Sequence, residues 1–327
     1  MDQEYRQPAD DRPADDQPAD EPVEAGPGGA EPAGLEPAGL EPAGTADDLA
    51  PACGGGCGCG SRDVRGGRGP APPSYVYALG RIDFRFPSLG VEKEIAQNAG
   101  RAATKGMTDR EAVHHLLSQP ENRYLARQLC WVLSIQGIET YLLRPRDPVE
   151  LGLLVDAVRT EPGAADLDVV IGIRGGLAPP GLCGGLTLPV VAYDQIYSFD
   201  GEELVRALKR PAKTDAAEFA RSSRDLLRRI MQMGDNAGDT DEHRALNYVA
   251  VRNPRIYQRT VKAHAKGSAL SSVEFRDSRL SATRKIVDIV LSYTGRRTDV
   301  TEKYFTRVDV TEEFPFTVTA LSPYYDR

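Results

Sequence analysis

The chain has 327 residues, 48 Asp and Glu against 40 Lys and Arg, and a net charge of −8 that is concentrated at one end. Residues 1–50 hold fourteen acidic side chains and two arginines, a net of −12, which leaves residues 51–327 close to +4. No run of about 18 apolar residues occurs, which excludes a transmembrane helix; the acidic first residues do not read as a secretory signal, and no basic stripe suits nucleic acid.

Residues 7–21 repeat a Pro-Ala-Asp pattern every five residues and residues 31–45 repeat Glu-Pro-Ala-Gly. With so few large apolar side chains this segment cannot offset its chain entropy, so a disordered acidic tail is expected over residues 1–52. Residues 53–73 read as a Cys/Gly-rich hinge and linker, and residues 74–327 as one folded domain. Alternation of Ile82, Phe84 and Phe86 with Arg81, Asp83 and Arg85 predicts a strand from Ser74 that Pro87 stops. Ser88 opens a helix, the Thr108-Asp-Arg-Glu111 capping box opens a second, and Pro120 starts a third. Trp131 to Leu143 reads as a strand interrupted at Gly137, and Asp147-Pro148 as a helix start. Strands follow at 166–173 and 188–193, with Gly172 to Gly176 read as a turn in which Arg174 meets a carboxylate.

The middle is helical. Phe219, Leu226, Ile230 and Met233 form one stripe; Thr240 starts a further helix, and Asn253-Pro254 breaks it and opens another that Gly267 closes. The final stretch predicts an antiparallel meander over 285–293, 298–310 and 314–321. The fold class expected is α+β: a mixed sheet with flanking helices and a C-terminal antiparallel meander, preceded by a disordered tail.

Four phrases, Tyr75-Val-Tyr-Ala-Leu-Gly-Arg-Ile82, residues 117–131, Thr240-Asp-Glu-His-Arg-Ala-Leu-Asn-Tyr248 and Thr298-Asp-Val-Thr-Glu-Lys-Tyr-Phe305, together resemble the C-terminal domain of cyanobactin maturation proteases of the PatA/PatG type. In that family the domain hangs from a subtilisin-like protease. No such domain is legible here, so no triad carries over, and the resemblance implies a peptide-maturation pathway without naming a reaction. It implies as partners a precursor peptide or the pathway's maturation enzymes.

Cys53, Cys57 and Cys59 are candidate zinc ligands, since closely spaced thiolates suit that ion. They are three where a structural site needs four, so a fourth from Cys130, Cys183, a histidine or a second subunit, and a metal-free thiol hinge, both stand as readings. Three clustered and two separate cysteines do not read as a disulfide framework, and a reducing cytoplasm is the expected compartment. Arg174, His243, Arg284 and Arg297 are the candidate binding residues: His243 for its place in an acidic first helical turn, the arginines as carboxylate contacts. Lys303, Arg307 and Asp309 share one face of a strand, which predicts a face that is wet or pairs with another surface. These readings combine into a non-catalytic accessory module that binds a precursor peptide or maturation enzymes, with homodimerisation among its partners. The alternative is a metal-dependent hydrolytic or tailoring enzyme.

Overall fold

The computed structural model describes residues 73–100, 105–163, 165–212, 214–278 and 283–325. All described residues belong to one compact unit within Gly67–Arg327. The tail, Cys53, Cys57 and Cys59, and the hinge as far as residue 72 therefore lie outside the described residues.

Five strands, β1 (Ser74–Arg85), β2 (Cys130–Ile135), β3 (Ile138–Pro145), β4 (Asp166–Leu177) and β5 (Pro189–Asp200), close into a barrel in the order β1-β2-β3-β5-β4. Every pairing is antiparallel except that of β3 with β5. Alternation in β1 divides its side chains between two cores. Val76, Ala78 and Ile82 join one core with α1 (Leu89–Ala99), α2 (Asp109–Leu117), α3 (Arg123–Gln128) and α4 (Leu151–Ala157). Tyr77 and Leu79, with Leu167, Val169 and Ile171 of β4, join the other.

That second core is completed by α6 (Ala216–Met231), α7 (Asp241–Arg252) and α8 (Pro254–Ala265) and by one face of a second sheet. The sheet is an antiparallel meander of β6 (Ser268–Asp277), β7 (Ile286–Gly295), β8 (Thr301–Asp309) and β9 (Phe316–Pro323). Polar caps delimit the helices: Thr108 and Glu111 form the reciprocal capping box of α2, and Asp215, Thr240 and Asn253 cap α6, α7 and α8. A short α5 (Gly201–Ala207) follows β5 directly. The α+β class with a mixed sheet and a C-terminal antiparallel meander is therefore the observed architecture.

The structure corrects four of the expectations. The interrupted strand is a hairpin: Gln136 and Gly137 both have positive φ, 53° and 81°, as a two-residue turn of this hand requires. Gln136 is held there by its side chain, whose Nε2 donates to the carbonyls of Met231 and Met233 at 2.6 and 3.1 Å. Gly172 to Gly176 is not a turn but the continuation of β4. A Cβ at Gly172 would lie 2.4 Å from the Ala192 carbonyl oxygen, so glycine lets β4 and β5 approach.

Cys130 and Cys183 are joined by a disulfide across a sequence separation of 53. The β4–β5 loop folds back so that Leu182, Cys183, Leu186 and Leu188 pack on Cys130, Val132, Leu142 and Ala178, and that packing brings the two Cα atoms to 5.9 Å. Neither cysteine is then free to ligate a metal. Finally, Asp309 is buried rather than wet; it pairs with Arg284, while Arg307 pairs with Asp288 at 2.9 Å.

Candidate ligand-binding cleft

Helix α6 is strongly two-sided. Phe219, Ser222, Ser223, Leu226, Leu227 and Ile230 are buried, whereas Arg221, Arg224 and Arg228, at spacings of three and four, share the opposite face. That face looks into a cleft of about 1060 Å³ whose other walls are Gly80 to Asp83 of β1, the β2–β3 hairpin, the start of β4 and the start of α5. Arg81 and Arg110 enter from the barrel side, so five arginines and four carboxylates line it.

The carboxylates are already engaged with three of the arginines. Arg110 meets Asp83 at 2.8 Å and Arg224 meets Glu202 at 2.5 Å, while Arg228 pairs with Asp225. Asp166 is met at 3.2 Å by Arg159, which approaches Asp168 at 4.0 Å. Arg81 and Arg221 are exposed and make no ion pair, hydrogen bond or ring contact among the described residues. The cleft thus has two guanidinium groups available to an anionic ligand, each presenting a planar fork of donors that matches a carboxylate.

The candidate residues named from sequence lie elsewhere. Arg174, on β4, sits 3.6 Å from Asp239, immediately before α7. His243 occupies the first turn of α7, where its backbone N–H donates to Thr240 Oγ1 and its buried Nδ1 has no partner among the described residues. Arg284 is linked to the same region through its neighbour Lys285, which meets Asp241 at 3.0 Å. Arg297 is exposed in the β7–β8 turn, at the far end of β7 from Arg284. Ten strand residues place it about 30 Å from that end. The structure brings Arg174, His243 and Arg284 toward one end of α7 and leaves Arg297 apart.

The residue that organises this end was not singled out from sequence. Arg244, only 2% exposed, donates to the carbonyls of Val310, Glu312 and Glu313, reaches Asp241 at 3.4 Å and lies over the Tyr75 ring at 5.1 Å. Beside it Asn247 Nδ2 donates to the Tyr77 carbonyl at 2.8 Å, and the Tyr77 N–H donates to the Gly238 carbonyl at 2.8 Å. Gly238 has φ +76° and a Cβ there would lie 2.5 Å from the Tyr77 oxygen, so the close approach requires glycine. Two of the family-like phrases, at 75–82 and 240–248, therefore meet each other. Their polar residues are spent on joining β1 to α7 and the second sheet, which is structural chemistry.

Ser222 Oγ lies 3.0 Å from His264 Nδ1, a pairing that in an open pocket would suggest a nucleophile and its base. Here Ser222 is 4% exposed and wedged between α6 and α8, and the bond ties the two helices. Among the described residues no group of three or more His, Cys, Asp and Glu is arranged to hold a metal ion, and no helix is long and apolar enough to cross a membrane.

Residues 213–324, which run from before α6 to the end of β9, match the family model described as PatG C-terminal. A solved structure described as PatG Domain of Unknown Function is similar over 77% of this chain and 98% of its own length, with a TM-score of 0.62 and 21% identity. At that identity the likeness shows the fold alone. No curated protein matches.

Proposed function

We propose, from the premise that this chain carries a PatG C-terminal domain, that it is a non-catalytic accessory module of a PatG-type peptide-maturation pathway. Its task is to hold an acidic segment of a precursor peptide or of a maturation enzyme in the arginine-lined cleft. The observation that carries this reading is the pair of unpartnered guanidinium groups, Arg81 and Arg221, one from each wall of the cleft. Carboxylates spaced along an extended peptide can engage both walls at once, and each such contact is charge-assisted. Because the two arginines are solvent-exposed, the attraction is long-ranged in low salt and screened at higher ionic strength.

The test is retention of the precursor peptide on immobilised full-length chain, followed by mass spectrometry of what is eluted. The proposal expects retained peptide of unchanged mass, and loss of retention in the variant Arg81→Ala/Arg221→Ala. A peptide of altered mass would instead identify an enzyme, and retention undiminished by the double substitution would remove the cleft from the account.

A further inference from the structure

A second cavity, of about 640 Å³, opens between the end of α3, the start of β2, the end of β3 and the β4–β5 loop. Its lining is mostly apolar, with Leu129, Trp131, Leu142, Leu151 and Leu182 on its walls, Gln128 among them and the Cys130–Cys183 bond closing one side. The charged side chains on it are Arg127 and Arg144. Both are exposed, and neither makes an ion pair, hydrogen bond or ring contact among the described residues. Among the described residues no carboxylate lines this cavity, in contrast to the larger cleft, where four do.

An apolar hollow edged by two unpartnered guanidinium groups favours a ligand that joins an apolar group to an anion over a short distance. Both are present on one Cα at the last residue of a peptide, where the side chain and the main-chain carboxylate are held together by covalent geometry. We propose that this cavity receives the C-terminal residue of a separate peptide, with its apolar side chain against Trp131 and Leu182 and its carboxylate held by Arg127 and Arg144. Capture of a terminal carboxylate is an established mode of peptide recognition, and here two side-chain forks supply the donors. The site is independent of the acidic-segment cleft, since the two share no lining residue.

Trp131 is the only tryptophan of the chain; it is buried at the wall of the cavity, with its indole N–H donating to the Ala126 carbonyl, so its emission is sensitive to a change in that wall. Full-length protein is titrated with acetyl-Gly-Gly-Leu as the free acid, with its C-terminal amide and with acetyl-Gly-Gly-Gly, following Trp131 emission and heat by calorimetry. The free acid is expected to bind saturably, and the amide and the glycine peptide at least tenfold more weakly. Arg127→Ala/Arg144→Ala should melt as the parent does, because both side chains are exposed, yet bind the acid at least tenfold more weakly. Arg81→Ala/Arg221→Ala should bind it unchanged. Equal binding of acid and amide, undiminished binding in the Arg127/Arg144 variant, or no saturable response in either signal overturns the proposal. Loss of binding in the Arg81/Arg221 variant also overturns it, by assigning the peptide to the larger cleft.

Discussion

Among the described residues Arg244 is the largest fully buried side chain, and its charge is tolerated only because main-chain carbonyls and Asp241 surround it. Burial lowers its pKa, and the neighbouring Asp241 opposes that change. Replacing it by Met leaves the buried Val310 carbonyl without this donor, and removing one member of a buried charged network costs about 3–5 kcal/mol. Arg244→Met should therefore lower the urea midpoint by that equivalent; a loss below about 1 kcal/mol would mean the network is not what ties β8–β9 to α7. His264 makes a separate prediction. Burial first, and then the Arg296 and Arg229 guanidinium groups, hold its imidazole below the ordinary value of 6.5. The unfolded chain therefore takes up the proton first as pH falls. Stability contributed by the neutral ring is complete above about pH 6.5 and is lost as pH falls through the lower folded value. Melting temperature measured between pH 7 and 5 should fall less steeply in His264→Gln than in the parent, and identical slopes would contradict the assignment.

At the scale of elements, the β4–β5 loop is held on the barrel by the Cys130–Cys183 bond together with the small apolar cluster beneath it. Closing a loop of this length stabilises by about 4 kcal/mol in chain-entropy terms. Cys130→Ser/Cys183→Ser should lose stability of that order without reductant, and a non-reducing digest of the parent should contain the two cysteine peptides joined. Separate peptides would show that packing alone holds the loop. Much of the element order was legible in the sequence because its signals are local: the Thr108 capping box, Pro120, Asn253-Pro254 and the alternation of β1 all stand within a few residues of what they specify. The closure of the barrel was not, since the parallel pairing of β3 with β5 and the contact of Gly172 with Ala192 depend on partners far along the chain. The same holds for the sites. Arg174 and His243 drew attention through their neighbours in sequence, whereas Arg81 and Arg221 stand out only when α6 is set across the end of β1 and their lack of partners becomes visible. The arginine face of α6 carried the one usable signal, three arginines at helical spacing opposite the apolar stripe.

At the scale of the whole described domain, the barrel and the second sheet are joined by shared apolar packing around α6, α7 and α8 and by the Arg244 and Asn247 contacts. The cleft lies where α6 passes the barrel end, so its two walls come from segments far apart in the chain and its shape depends on that joint. Gly238→Ala, which forces a Cβ against the Tyr77 carbonyl, should loosen the joint, lowering stability by about 2–4 kcal/mol and weakening ligand binding together. Unchanged affinity in a destabilised Gly238→Ala would show that the cleft does not need it. Anisotropy of a fluorescein-labelled decapeptide of alternating Glu and Gly tests whether Arg81 and Arg221 hold an acidic segment as proposed. Saturable binding to the full chain is expected, weakening progressively between low and high salt and falling at least tenfold in Arg81→Ala/Arg221→Ala. Binding that is insensitive to both salt and the double substitution, or no binding in low salt, would contradict it.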